Sequence, residues 1–300
     1  MKRFSSLLVL IIFLLSSIDA DLYAQKKSRK LKKADQAFDS EQYDKAAELY
    51  KKAYKKLNKK NKALKAEIIF KQAECFRMSD DAKRAESYYK RAIKAKYPDV
   101  LVYLRYADVL RMQGDLDEAV IQYKKYLELN PADPNERGKI GLRSCEFTLQ
   151  WQDVPTRYNI QLMPVVNSRY SDFSPAFGNS DYTELYFTSS REGGQTNKID
   201  ERTGEPFTDV WYTRVNKKGA WSPPVVMPEP INTVANEGSV FLNKRGQSMY
   251  ITQCKVEKKQ DLGCGIYVSK RKGKLWGPSQ LVQIKVDDNT TIGHPALNED

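Results

Sequence analysis

The chain has a single histidine, four cysteines and only one notable apolar run, and each scarcity closes a class of function. Acid–base or nucleophilic chemistry needs a base held beside a nucleophile, and His294 is the one imidazole on offer. No cysteine follows the apolar run to carry a lipid anchor, since the first is Cys75. No glycine-rich phosphate loop occurs either, because Gly263-Cys264-Gly265 precedes a strand pattern rather than opening a helix. Glu136 with Glu146, and Asp287 with Asp288, show no spacing that separates them from surface charge. After the run Leu7–Leu15 no stretch of membrane length returns. The expectation is a chain with no cofactor, no metal site and no catalytic residues, working through surfaces.

What is present begins with an export signature. Lys2 and Arg3 precede Leu7–Leu15, and a polar stretch ends at Tyr23-Ala24-Gln25, which reads as a signal peptide over residues 1–24 with cleavage after Ala24. An uncleaved anchor is the alternative, but nine apolar residues fall short of about 30 Å of hydrocarbon. The remaining 276 residues suggest two domains, 25–153 and 154–300. The formal charge is +12, and eight lysines between Lys51 and Lys65 hold much of the excess, with Tyr54 as the only aromatic among them. That run is read as a solvated helix end and loop, with a nucleic-acid or lipid-headgroup site as the alternative. Its field attracts anionic polymers in either case.

Residues 25–153 obey one spacing ruler. Alanines fall at 34, 73 and 107, again at 46, 85 and 119, with tyrosines at 50, 89 and 123, at offsets of 39 and 34 residues. Small residues at a period near 34 let stacked helix pairs approach closely. Three units follow: Ser28 to Leu57, Glu67 to Lys94 and Leu101 to Leu129, the last with Gly114 at its inter-helix turn and Asn130-Pro131 after its second helix. Glu136 to Trp151 is expected to be a capping helix whose outer face can meet water. The pattern resembles the tetratricopeptide repeat. In that family the first helices line a concave groove, so the resemblance implies a partner-binding groove at Asp35, Phe38, Glu74, Arg77, Asp108 and Arg111. Their alternating sign suits an extended peptide or a charged helix of a protein partner. Ordinary solvated helix faces are the alternative.

After Trp151-Gln152-Asp153-Val154-Pro155 the composition turns to Val, Ile, Tyr, Thr, Ser, Pro and Gly. Ser174–Phe177, Glu184–Thr188, Asp209–Tyr212 and Gly219–Trp221 recur in order as Gly238–Phe241, Ser248–Thr252, Gly265–Val268 and Gly273–Trp276, and His294–Leu297 opens a third copy. Four short strands per unit, ending on a tryptophan, predict β-propeller blades. Ring closure takes about four to eight blades, so a longer natural chain is expected. The fold class read from sequence is therefore an all-α repeat solenoid followed by all-β propeller blades.

The segment Ser171-Asp172-Phe173-Ser174-Pro175-Ala176-Phe177, with Leu185-Tyr186-Phe187-Thr188-Ser189-Ser190-Arg191-Glu192-Gly193-Gly194, resembles the WD40-like blade of periplasmic proteins, of the kind also seen in TolB. Signal peptide, tetratricopeptide repeats and such blades, in that order, are similar to a Bacteroidetes cell-envelope family in which an OmpA-like peptidoglycan-binding domain follows, one branch being the PorE-type component of type IX secretion. The resemblance implies a periplasmic, outer-membrane-associated, non-enzymatic scaffold with envelope protein partners, no nucleic acid, and peptidoglycan contact through a domain outside these residues. The competing readings are a propeller-type glycoside hydrolase, because Asn216–Trp221 superficially resembles a sialidase Asp box though it lacks the aspartate, and a TolB-like envelope-integrity protein with a tetratricopeptide adaptor. His294 occupies the strand-entry position of Ser174 and Gly238, a structural place. Cys254 ends one predicted strand and Cys264 begins the next, so a hairpin would bring them within the roughly 5.5 Å Cα separation of a disulfide. A metal site is the alternative, weakened by the want of further ligands. Cys75 and Cys145 are expected to pack as small apolar side chains.

Overall fold

The computed structural model describes residues 29–257, 260–273, 275–284, 287 and 290–298. The signal-peptide expectation lies outside them. The chain divides into two units, one running to Pro155 with Glu201–Thr203, the other comprising Thr156–Asp200 and Gly204–Asp300.

In the first unit the described residues form seven helices: α1 Arg29–Asp39, α2 Tyr43–Tyr54, α3 Lys62–Met78, α4 Ala82–Lys94, α5 Leu101–Gln113, α6 Leu116–Leu129 and α7 Arg137–Trp151. The six ruler alanines and the three tyrosines are all fully buried, in one cluster that runs from Leu31 to Cys145. The physical logic is small against large: alanine removes bulk where two helices cross, and tyrosine fills the wider space one turn later. The second unit starts at Lys62, about one turn before the expected Glu67. Lysine is a good helix former whose head stays in water, so the helix outruns the apolar pattern.

The ruler also governs turns and the cap. Gly114 terminates α5 with φ 82°, and the positions one and two repeats earlier, Asp80 and Glu41, hold φ 60° and 57° without being glycine. Each left-handed turn lets α1, α3 and α5 reverse into their partners. In α7 the offset of 34 lands on Gly141, where a Cβ would lie 2.3 Å from the Tyr123 ring. The cap therefore seats on the last tyrosine of the ruler. Its outer face meets solvent with Ile140, Phe147 and Trp151 all at least half exposed, which is more apolar than a polar cap.

The second unit holds two antiparallel sheets. β1 Asp172–Phe177, β2 Glu184–Ser189, β3 Asp209–Arg214 and β4 Val225–Val226 form a sequential four-stranded sheet. β5 Asn236–Leu242, β6 Ser248–Glu257, β7 Gln260–Lys272 and β8 Leu275–Trp276 repeat that order, with β9 Gln280–Leu281 also on β7. Tyr186 and Val210 of the first sheet share a buried cluster with Val240, Leu242, Met249 and Ile251 of the second. Both β1–β2 and β5–β6 carry a register shift, so the internal repeat extends to its irregularities.

Two strand expectations need correction. In the first copy the fourth strand is Val225–Val226, not Gly219–Trp221; Trp221 makes only an isolated bridge to Val215. The Asn216 side chain folds that segment into a closed turn by accepting from the Lys218 and Ala220 amides at 2.8 and 3.1 Å. The cysteines sit inside the β6–β7 ladder rather than at strand ends, since pairing continues to Glu257 and Gln260. In the third copy, Pro295 and its neighbours carry no strand.

Candidate partner-binding groove

One contact recurs in every helical unit. The Tyr50 hydroxyl donates to Asp35 Oδ1 at 2.8 Å, Tyr89 donates to Glu74 Oε1, and Tyr123 donates to Asp108 Oδ1 at 2.8 Å, each pair 15 residues apart. The second helix of each pair thereby fixes the acidic side chain of the first. Burial raises the Tyr89 hydroxyl pKa, and the Glu74 charge beside it raises it further, so the proton stays on the phenol and the bond keeps its direction. A charge-assisted bond of this kind contributes about 1.5–3 kcal/mol.

Arginines extend the ladder. Arg77 donates to both Glu74 oxygens at 2.8 and 3.3 Å. Burial works against its charge, and the bonds to Glu74 outweigh that, so the guanidinium is held protonated. Arg105 stands 4.0 Å from Glu74 and 3.8 Å from Asp108, with a buried Nε that has no hydrogen-bond partner. Arg137 donates to Asp108 at 2.9 Å. Arg111 reaches the Tyr123 hydroxyl at 3.3 Å and is itself exposed. At the position of Arg77 and Arg111 the first unit has Phe38, which lies edge-on to Tyr43 and under the Lys71 ammonium, 4.7 Å from the ring centroid.

The structure thus places the six predicted residues on α1, α3 and α5, and ties the acids into internal bonds. Sequence reading missed Arg105 and Arg137. A signal existed for the first: Lys32, Lys71 and Arg105 occupy one ruler position, all basic. With Arg137 of α7 counted, the guanidiniums of Arg77, Arg105, Arg111 and Arg137 stand against the carboxylates of Asp35, Glu74 and Asp108, which leaves the row slightly basic. A wide recess of about 670 Å³ lies elsewhere, among α4, α5 and α6, lined by Lys90, Ile93, Tyr106 and Ile121, and none of the six predicted residues borders it.

Comparison with known proteins decides the identity of this region. The family described as tetratricopeptide repeat matches residues 31–100 and 79–134. Residues 31–134 are tetratricopeptide repeats. Among solved structures, the first such domain of Spaghetti (RPAP3) bound to an HSP90 peptide is 23% identical, over 42% of this chain and 95% of that one, with a TM-score of 0.37. The Sgt2 domain of Aspergillus fumigatus is 16% identical over 46% and 90%, TM-score 0.38. The myosin chaperone UNC-45 of C. elegans is 22% identical over 43% of this chain, TM-score 0.39, and the match spans 14% of the UNC-45 chain. No curated protein matches this chain in sequence.

In the β unit, Cys254 and Cys264 face each other across β6 and β7 and are joined as a disulfide, Cα–Cα 3.9 Å. Cys75 and Cys145 are free and buried, and burial pushes the Cys75 thiol up to about 12, far from a reactive thiolate. His294 Nδ1 lies 2.6 Å from Ser239 Oγ, which accepts from Ser174 Oγ at 2.9 Å. A serine beside a base invites a catalytic reading, but among the described residues no carboxylate bonds the second ring nitrogen, and the three residues belong to successive strand entries of the repeat. Among the described residues no group of three or more His, Cys, Asp or Glu is placed to hold a metal, and no helix is long and apolar enough to cross a membrane.

Proposed function

We propose that the chain is a non-catalytic scaffold of the cell envelope whose tetratricopeptide repeats hold an acidic, extended segment of a protein partner. The observation that carries this reading is the tyrosine-fixed polar row on α1, α3 and α5. Its side chains are locked before any partner arrives, which lowers the ordering cost of binding. Its guanidinium groups, joined by Arg137 of α7, select carboxylates, which arginine engages two bonds at a time.

The β unit is the start of a propeller, supported by two copies of the same strand order packed through one cluster. Together with the domain order, this supports a periplasmic, outer-membrane-associated place and kinship with the PorE-type branch, where the scaffold would link secretion machinery to peptidoglycan. The test is affinity capture with cross-linking from envelope fractions. Arg77→Glu with Arg111→Glu should cut recovery of the specific partner about tenfold or more, while helical content stays unchanged. Undiminished recovery by the folded variant would overturn the groove assignment.

A further inference from the structure

The lysine run acquires a shape once the helices are placed. α2 ends at Tyr54 and α3 begins at Lys62, so Lys55, Lys56, Lys59 and Lys60 occupy the connection between them, all exposed. Lys30, at the start of α1, comes to the same end of the array: its ammonium is disfavoured first by Lys56 and also by Lys52 beside it. Lys65 of α3 reaches back over the Tyr54 ring, 5.1 Å from its centroid. Three helix ends therefore pool their positive charge at one edge.

This charge is not explained by helix stability. The N-terminal turn of a helix favours acids, and α2 and α6 obey with Asp44, Asp117 and Glu118. α1 and α3, like α4, α5 and α7, have no acid in their first turn, and they begin with basic residues, which helix stability does not ask for. Lys51 is paired with Glu48 at 3.1 Å, but among the described residues Lys52, Lys56, Lys59 and Lys60 enter no ion pair. An arrangement that repels itself in isolation is relieved by an external anion.

We propose that this edge of the helical unit docks on an anionic phospholipid surface. The chemistry favours headgroups over nucleic acid. The run from 51 to 65 contains lysine and no arginine, giving hydrated point charges suited to a diffuse negative layer rather than to forked recognition of single phosphates. Its one aromatic, Tyr54, is covered by Lys65, which leaves no platform for stacking bases. The proposal goes beyond the scaffold reading and does not require it.

The test is co-sedimentation of the full chain with vesicles of phosphatidylcholine alone and with about 30% phosphatidylglycerol. Binding to the anionic vesicles should exceed neutral binding at least tenfold, and the excess should vanish at about 1 M salt. Lys52→Gln, Lys56→Gln, Lys59→Gln and Lys60→Gln together should abolish the excess, at about fivefold per lysine. A control of equal charge change, Lys83→Gln, Lys94→Gln, Lys124→Gln and Lys217→Gln, should retain it, with helical content and melting checked for both. Equal binding to the two vesicles, an excess that survives in the first variant, an equal loss in the control, or capture of single-stranded DNA without vesicle binding would each overturn the proposal.

Discussion

At the scale of residues, two carboxylates of the β unit, one buried and one half-buried, answer pH with opposite signs. Glu237 is fully buried; Oε1 accepts from Thr233 at 3.1 and 2.6 Å, while Oε2 has no partner. Burial pushes its carboxyl up to about 8, from an ordinary 4.5. Between those values the unfolded chain has already released the proton that the folded chain keeps, so stability falls as pH rises. Chemical denaturation at pH 5 and pH 8.5 should show that loss, and Glu237→Gln should remove most of it, recovering on the order of 3 kcal/mol at the higher pH. Asp172 behaves oppositely: despite burial, bonds from Ser189 and Arg191 at 2.6 and 2.5 Å hold its pKa below the usual value, so its contribution is lost on acidification. Neither environment was legible in sequence, because burial of a carboxyl depends on which strands become neighbours. The tyrosine–acid bonds escaped for a related reason. Residues 15 apart on two helices share no periodicity of a single element, although each partner had been singled out separately.

At the scale of elements, the left-handed turns give the sharpest test. Gly114 has open space around the position of a Cβ, so Gly114→Ala acts through the backbone alone and should destabilise the helical unit by about 1 kcal/mol. Asp80→Gly, at the equivalent turn with φ 60°, should stabilise by up to about 1 kcal/mol; thermal unfolding of both variants checks the pair. The helices were readable because alanine and tyrosine burial is set within one repeat and copied by its neighbours. What sequence hid were elements without a pattern of their own. The lysine-headed turn of α3 has few apolar markers, the two-residue strand β4 is too short to show alternation, and the β6–β7 ladder runs through charged positions because backbone pairing, not side-chain type, extends it.

At the scale of the whole molecule, both units are built by repetition, and repetition produces extended faces in place of a closed cleft. The alanine–tyrosine ruler, the tetratricopeptide match over residues 31–134 and the recurring polar row agree on the helical unit. The two β copies share strand order and register shifts, which is the ground for the propeller reading. The central claim is that partners enter along the first helices. Met112 lies one turn beyond Asp108 on that face, and Ile121 borders the recess among α4, α5 and α6; both are 56% exposed. The most direct measurement places a photo-cross-linking residue at either position and irradiates envelope fractions. The account predicts a discrete protein adduct from position 112 that weakens when Arg77→Glu is added, and none from 121; an adduct from 121 alone, or one from 112 indifferent to Arg77, would contradict it.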